Sequence, residues 1–178
     1  MHLSYRPIAN SDLAFLNQVY ASTRAEEVAM TGWPLKEQQQ FLQMQFAAQH
    51  QYYQEHYSDA AFDLILVDGD PAGRLYLQRR QDEHRVVDIA LLPEYRGKGI
   101  GHKIMQGILD EAAEAGLPVR IHVEHNNPAM HLYQRLGFQK MDDTGVYFLM
   151  ERLPDQRLPE PGVRPSQDAS VCQPHNGV

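Results

Sequence analysis

Three glycines alternate with other residues in one loop, residues 96–101, and this loop limits the fold more than any other part of the chain. The apolar run 86–92 precedes the loop, and apolar residues recur at helical spacing over residues 100–112. A strand, a glycine loop and a helix in this order can hold an anion, because glycine lets the backbone approach a ligand and the first N–H groups of a helix lack partners within it. Since Arg96 and Lys98 add positive charge, the sequence predicts a site for an anion of pyrophosphate size.

The spacing of the glycines excludes two common nucleotide-binding loops. The dinucleotide fingerprint reads G-x-G-x-x-G, whereas Gly97, Gly99 and Gly101 follow the pattern G-x-G-x-G. The P-loop pattern, G-x-x-x-x-G-K-[ST], does not occur in the sequence. For the loop taken alone, an ordinary glycine-rich turn without a ligand is the alternative.

The composition indicates a globular chain and disfavours several classes of protein. Of the 178 residues, 43% are hydrophobic and 22% are charged, which suits one domain with a real core. The net charge of −7 disfavours a nucleic-acid surface, although it can attract a cationic substrate at long range. No apolar run approaches the roughly 18 residues that cross a bilayer, and the N-terminus lacks the apolar stretch of a secretory signal. The only cysteine is Cys172, which suits a reducing cytoplasm, so we expect a cytoplasmic protein. From the net charge and the lack of a long apolar run, we expect neither nucleic-acid nor membrane partners.

Apolar periodicity and turn residues predict one mixed α/β domain. The elements follow the order β-α-α-β-β-β-α-β-α-β-β, with a long helix over residues 35–56 and a hairpin that turns at Asp68-Gly69. The domain covers residues 1–153. Residues 154–178 contain five prolines and almost no apolar run, so we expect a disordered or loosely packed tail there.

Two linked motifs connect the chain to a known family. Arg96, Gly99 and Gly101 match the pattern R/Q-x-x-G-x-G/A, and residues 126–138 match N-x-x-A-x-x-L-Y-x-x-L-G-F. In these motifs and in the order of its elements, the chain resembles the GNAT N-acetyltransferases. The resemblance covers residues 86–138 in detail and residues 3–152 in topology. It implies an α+β fold, a single GNAT-like domain whose mixed central sheet has splayed central strands.

The resemblance implies acetyl-CoA as the cofactor. In this family the pyrophosphate lies on the amides of the glycine loop, and the pantetheine arm lies between two splayed strands, here residues 89–92 and 121–124. Asn126 would bond to the arm, and Tyr133 would donate a proton to the departing thiolate; the alternative for Tyr133 is a core aromatic residue. The expected cofactor-binding residues are Ile89, Leu91, Leu92, Arg96, Gly97, Lys98, Gly99, Ile100, Gly101, Asn126 and Tyr133.

The residues favour direct attack by an amine over a covalent acyl-enzyme. The only thiol, Cys172, lies in the predicted tail, and no serine occupies a G-x-S-x-G turn. The attacking amine must be neutral, and Asp88 and Glu83 are the nearest acidic candidates for a base, on or before the central strand. The alternative for each carboxylate is a solvated group or a salt-bridge partner, so the base stays open. The catalytic candidates are therefore Tyr133, Asp88 and Glu83.

Three aromatic residues and one His/Glu cluster are further candidates for a site. Trp33, Tyr52 and Tyr53 fall where the family builds its acceptor pocket, and aromatic rings there can wall a substrate or cage a cation. Plain packing of the helix pair is the alternative. His122, Glu124 and His125 are close in sequence, but on a strand His125 faces away from the other two, so we expect no metal site.

The function expected from these features is transfer of an acetyl group from acetyl-CoA to a primary amine of a small molecule, an amino acid or a peptide. The alternative, from a different class, is a sensor module that binds acetyl-CoA and transfers nothing. The expected partner is the amine substrate, and a homodimer is left open.

Overall fold

A seven-stranded mixed sheet lies at the centre of the computed structural model, which describes residues 1–154. The strands are β1 (Leu3–Pro7), β2 (Ala61–Val67), β3 (Asp70–Arg79), β4 (His84–Leu91), β5 (Val119–Glu124), β6 (Gln139–Asp143) and β7 (Tyr147–Arg152). The helices are α1 (Leu13–Ala29), α2 (Leu35–His56), α3 (Ile100–Glu114) and α4 (Met130–Arg135). Across the sheet the order is β1-β2-β3-β4-β5-β7-β6, and the predicted fold and order of elements are confirmed. The predicted tail lies outside the described residues apart from Pro154, and Cys172 lies outside them as well.

Turn chemistry sets the hairpin between β2 and β3. Asp68 has φ of 50° and Gly69 has φ of 86°, so both central residues of the turn occupy the left-handed region. Asp and Gly tolerate this region better than other residues, and a turn of this kind matches the twist of paired strands. The turn predicted at this dipeptide is therefore confirmed.

The two central strands separate at their carboxyl ends. Strand β4 pairs in parallel with β5 only where His84–Val86 meets Val119–Ile121. Beyond that point β4 continues along β3 as far as Leu91, and β5 continues along β7 as far as Glu124. The predicted splay of the central strands is confirmed, and it leaves a wedge-shaped opening next to the start of the glycine loop.

The helices cover the two faces of the sheet. Helix α3 and residues of α4 share one large core with β3, β4 and β5, and this core includes Ile89, Ile104 and Tyr133. Helices α1 and α2 pack on the other face in smaller clusters around Leu64 and Tyr76. Residues that alternate along β4 and β5 therefore face either the α3/α4 side or the α1/α2 side.

Residues 1–154 lack a membrane-crossing helix and a cluster of metal-binding side chains. None of the helices within residues 1–154 combines the length and the hydropathy that a bilayer crossing requires. In the same part of the chain, no three His, Cys, Asp or Glu side chains are grouped so that they could hold a metal ion.

Candidate active site

The glycine loop between β4 and α3 has a backbone suited to holding an anion. Gly97 and Gly99 have φ of 69° and 79°, in the left-handed region that favours glycine, and Gly99 is the N-cap of α3. A Cβ atom added to either glycine would meet no heavy atom within 4 Å, so the space in front of the loop is open. The loop therefore presents the positive end of the α3 dipole and its first amides to open space.

A cleft of about 340 Å³ separates this loop from α4. One wall consists of Leu91, Gly97, Gly99, Gly101 and His102, and the other consists of Pro128, Ala129, His131, Leu132 and Arg135. The first wall contains four of the residues that the sequence predicts as cofactor-binding. The α4 wall is missed by the sequence analysis, although residues 131, 132 and 135 recur at helical spacing and could have been found by that signal.

The other predicted cofactor residues lie around the cleft and do not line it. Arg96 turns back from the loop: its Nε donates to the carbonyl oxygen of Leu91 at 2.9 Å, and its Nη2 donates to the hydroxyl oxygen of Ser22 at 3.1 Å. Arg96 thus braces the loop against β4 and α1. The side chains of Ile89, Leu92 and Ile100 are buried, and those of Lys98 and Asn126 are exposed.

Tyr133 has a fully buried phenol on the inner side of α4. Its ring meets Phe138 edge-on, with 5.8 Å between ring centroids. Among the described residues its hydroxyl has no hydrogen-bond partner. Burial raises the pKa of Tyr133 well above its usual value, and the charge of Asp88 raises it further. A buried hydroxyl without a hydrogen-bond partner lowers the stability of the fold. The position therefore favours a ligand atom that accepts a hydrogen bond from Tyr133.

Asp88 is held in a buried network that joins β3, β4 and α2. Arg74 donates from Nε to Oδ1 at 3.2 Å and from Nη2 to Oδ2 at 3.0 Å, and the Tyr53 hydroxyl donates to Oδ2 at 2.8 Å. Gln49 accepts a further bond from Arg74 at 2.9 Å. Burial raises the pKa of the Asp88 carboxyl, while Arg74 and Tyr53 oppose that shift. Both carboxylate oxygens are therefore occupied, and the side chain has no access to solvent.

Glu83 immediately precedes β4, at the opposite end of the strand from the glycine loop. It is only 3% exposed and contacts three guanidinium groups. The N···O distances are 3.1 Å to Arg80, 3.1 Å to Arg85 and 3.7 Å to Arg120. The structure thus brings Asp88 near Tyr133 and leaves Glu83 in a separate ion cluster. Both Asp88 and Glu83 form salt bridges, which is the alternative to a catalytic role that the sequence leaves open for them.

Comparison with known proteins identifies the family. A sequence model of the acetyltransferase (GNAT) family matches residues 24–138. The chain belongs to the GNAT family. A mycothiol acetyltransferase of Thermobifida fusca is 31% identical over 94 residues, which cover 52% of this chain and 25% of that protein. A [ribosomal protein bS18]-alanine N-acetyltransferase of Haemophilus influenzae is 31% identical over 68 residues, which cover 38% of this chain and 47% of that protein. The chain thus spans a quarter to about half of the length of these two relatives.

Solved structures agree with the GNAT fold. The PaiA N-acetyltransferase of Thermoplasma acidophilum, solved in complex with coenzyme A, has a TM-score of 0.64 and 19% sequence identity, covering 86% of this chain and 99% of that one. At this identity the likeness shows the fold alone. Together with the family match, it confirms the resemblance that the two sequence motifs indicate.

The aromatic residues predicted for the acceptor pocket do not gather in this GNAT domain. Trp33 precedes α2, is 42% exposed and meets Phe41 edge-on at 5.3 Å between centroids. Tyr52 and Tyr53 lie near the other end of α2, about 30 Å away at 1.5 Å per residue. Tyr53 is fully buried against Asp88, and Tyr52 stacks on His56. The three rings therefore cannot wall one small pocket, because the length of α2 separates them.

The GNAT domain also contains an ion pair that the sequence analysis misses. Arg24 of α1 is buried and donates from Nη2 to Oε1 of Glu124 at 3.1 Å, at the splayed end of β5. Its Nη1 donates to Glu27 at 3.0 Å. The Glu124 side chain is 21% exposed, which makes it more accessible than Asp88 or Glu83. No local pattern could reveal this pair, because its members are 100 residues apart in sequence.

The histidines considered as metal ligands take different partners. His122 accepts at Nδ1 from Arg85 at 3.1 Å, and its pKa is lowered to about 4 by burial and by the charge of Arg85. His125 bonds to Asp143 at 2.7 Å and stacks on Phe148 with 4.0 Å between ring centroids.

A second and larger cleft lies away from the glycine loop. Its volume is about 570 Å³, and it opens between the end of β1, the start of β2 and the last turns of α2. None of the predicted site residues lines it. The smaller cleft is the candidate active site, because it combines the glycine loop with the splayed strands.

Proposed function

We propose that this GNAT domain transfers an acetyl group from acetyl-CoA to a primary amine by direct attack. The observation that carries the proposal is the open glycine cradle at the N-terminus of α3, facing α4 across a cleft beside the splayed strands. The amides suit the pyrophosphate, and the strand edges that separate suit the amide-bearing pantetheine arm. When bound, acetyl-CoA supplies the thioester whose acetyl group is transferred.

Tyr133 is the proposed proton donor. Its hydroxyl is buried and without a partner among residues 1–154, and its raised pKa keeps it protonated at neutral pH. A donor held in place before the reaction stabilises negative charge as it develops on the departing sulfur. The nearby carboxylate of Asp88 opposes ionisation of the phenol, so the hydroxyl stays neutral until negative charge develops on the sulfur.

The acceptor amine needs a carboxylate or a water relay on the α1/α2 side. The two carboxylates predicted from the sequence are almost fully buried: Asp88 is bonded to Arg74 and Tyr53, and Glu83 contacts three guanidinium groups. We propose that Asp88 instead positions β3, β4 and α2, and that Glu124 is the carboxylate that serves the amine. Glu124 is accessible, lies where β4 and β5 separate, and is held in place by Arg24.

The acceptor is proposed as a class of compound: a primary amine of a small molecule, an amino acid or a peptide. The relatives named above act on mycothiol and on an alanine of a ribosomal protein, by their names. These two acceptors support an amine acceptor, but they do not distinguish between a small molecule, an amino acid and a peptide. The formal charge of −7 favours the approach of a cationic amine.

Thiol release from acetyl-CoA in the presence of a panel of amines tests the proposal. The panel should contain polyamines, free amino acids and peptides with free N-termini, and calorimetry should measure acetyl-CoA binding in parallel. We expect binding together with thiol release that depends on one class of amine. Binding without release for every amine would favour the sensor module, and absence of binding would contradict both functions.

A further inference from the structure

We propose that the larger cleft, between β1, β2 and the end of α2, is a second binding site for a neutral small molecule with an apolar body and an amide-type polar end. The cleft has a volume of about 570 Å³, which lies in the range of pockets that bind small molecules. None of the residues that line it also lines the cleft beside the glycine loop. This second site lies outside the proposed function and does not depend on it.

The walls of the larger cleft are mainly apolar. Ile8, Leu13 and Phe62 line it, and residues 60–61 add two alanine methyl groups. The ring of Phe62 meets Tyr76 edge-on, with 4.9 Å between ring centroids, so packing holds this wall in place. These walls suit the apolar body of a ligand.

The described residues that line the cleft turn no charged side chain into it. Asp63 is the one charged residue of the lining. Along β2, Leu64 packs with α1 and α2, and Ile65 packs in the α3 core, so Asp63 faces the α3 side as Ile65 does. Burial raises the pKa of Asp63, and Arg79, which bonds to Glu111 of α3, opposes that rise. An ionic ligand would therefore lose water in the cleft without gaining an opposite charge, which favours a neutral ligand.

His50 supplies a polar group on the α2 wall. Its Nδ1 is enclosed and has no hydrogen-bond partner among residues 1–154. Burial lowers the pKa of His50, and the charge of Arg74 lowers it further, so the ring is neutral at neutral pH and carries one proton. An N–H group at Nδ1 would be buried without an acceptor, which assigns the proton to Nε2. Since His50 lines the cleft, Nε2 is the nitrogen that can donate to a ligand there.

Two side-chain amides complete the polar part of the cleft. Asn10 and Gln54 line it and are exposed, and each amide can both donate and accept. A carboxamide on the ligand can accept from Nε2 of His50 and donate to either side-chain amide. An ammonium group cannot accept a hydrogen bond and a carboxylate cannot donate one, so neither ion matches all three groups.

NMR titration with three related ring compounds tests the site. Benzamide is neutral, benzoate is an anion and benzylamine is a cation at neutral pH, and the backbone amide signals of residues 60–63 report occupancy of the cleft. We expect benzamide to bind with a Kd on the order of 1 mM and the two ions about fivefold more weakly or worse. With benzamide, the amide signals of residues 97–102, in the glycine loop and the start of α3, should stay unchanged.

Two variants of His50 separate the hydrogen bond from the fold. His50→Phe keeps a ring and removes both nitrogens, so benzamide should bind about 10-fold more weakly. The free energy of unfolding of this variant, measured with urea, should stay equal or rise, because an unpaired buried nitrogen is removed. His50→Gln keeps a donor on a side chain of similar length and should bind benzamide within about threefold of the wild type. His56→Phe is the control, since His56 is exposed on the same helix outside the cleft, and it should change neither quantity.

Several outcomes would overturn the second site. They are the absence of shifts at residues 60–63 with about 10 mM benzamide, and an unchanged benzamide affinity in a folded His50→Phe variant. Equal or tighter binding of either ion would contradict the neutral character of the ligand. Shifts at residues 60–63 that follow protein concentration without any ligand would assign the cleft to a second copy of the chain. Because acetyl-CoA takes no part in these titrations, each of these results would leave the proposed function standing.

Discussion

At the residue scale, the proposed chemistry depends on the Tyr133 hydroxyl, which is buried and has no partner among residues 1–154. The pattern around residues 126–138 marks the tyrosine, but only the fold shows a buried hydroxyl without a partner among the described residues. The same contrast applies to Asp88, whose place on the central strand is evident from the sequence. Its partners Arg74 and Tyr53 are not evident, because ion pairs between distant residues leave no local pattern.

Tyr133→Phe should lower turnover far more than cofactor affinity. The substitution keeps the ring and its packing and removes only the proton donor. General acid catalysis is typically worth about 100- to 10,000-fold, and such a loss belongs in kcat. Single-turnover kinetics measure the chemical step directly, and calorimetry measures binding. Rates within threefold of the wild type across pH would make Tyr133 a core aromatic residue only.

Glu124→Gln should lower kcat/KM about 10-fold or more if Glu124 serves the acceptor amine. Glu27→Gln is the matched control, because Glu27 bonds to the same Arg24 but is 65% exposed on α1. We expect the control to change kcat/KM by less than threefold. Similar losses in the two variants would show that Glu124 only holds Arg24, and the catalytic role would then be wrong.

At the element scale, local sequence patterns predict individual helices, strands and turns. They do not predict how far two distant strands pair. Helix α2 occupies Leu35–His56, the range that its apolar spacing predicts, and the Asp68-Gly69 turn follows from its two residues. The point at which β4 and β5 separate has no such signal, since each strand keeps its own residue pattern beyond it: β4 stays mainly apolar, and β5 still alternates. The splay could be expected only through the resemblance to a family.

Gly73→Ala should destabilise the β3–β4 pairing. A Cβ at Gly73 would lie 2.1 Å from the carbonyl oxygen of Ala90, and a backbone atom cannot move away as a side chain can. We expect a loss of about 1–3 kcal/mol in the free energy of unfolding, measured by urea denaturation. Gly107→Ala is the control, because Gly107 lies in α3 with open space around it and alanine favours helix by up to about 1 kcal/mol. Equal free energies of unfolding for the two variants would contradict the close approach of Gly73 to the Ala90 carbonyl oxygen.

At the scale of the whole molecule, an acidic chain builds a cleft within residues 1–154 whose lining contains no carboxylate, beside its splayed strands. The net charge predicts that nucleic acid is a poor partner. It does not predict that the lining of this cleft contains arginine and histidine but no carboxylate. The cleft lacks carboxylates because α3 and α4, from different parts of the chain, meet there. Helix α3 contributes His102 and its free amides, and α4 contributes His131 and Arg135. We therefore expect an anionic cofactor to bind in this cleft.

Calorimetric titration of acetyl-CoA into Gly99→Asp and Gly99→Asn tests whether the glycine loop binds the anionic cofactor. Gly99 has φ of 79° with open space beyond it, and both Asp and Asn tolerate this region, so the two variants share shape and backbone cost. They differ in one negative charge, which would face the pyrophosphate. We expect Gly99→Asp to bind acetyl-CoA about 100-fold more weakly than Gly99→Asn, because like charges brought together cost several kcal/mol. Equal affinities, both within twofold of the wild type, would contradict it.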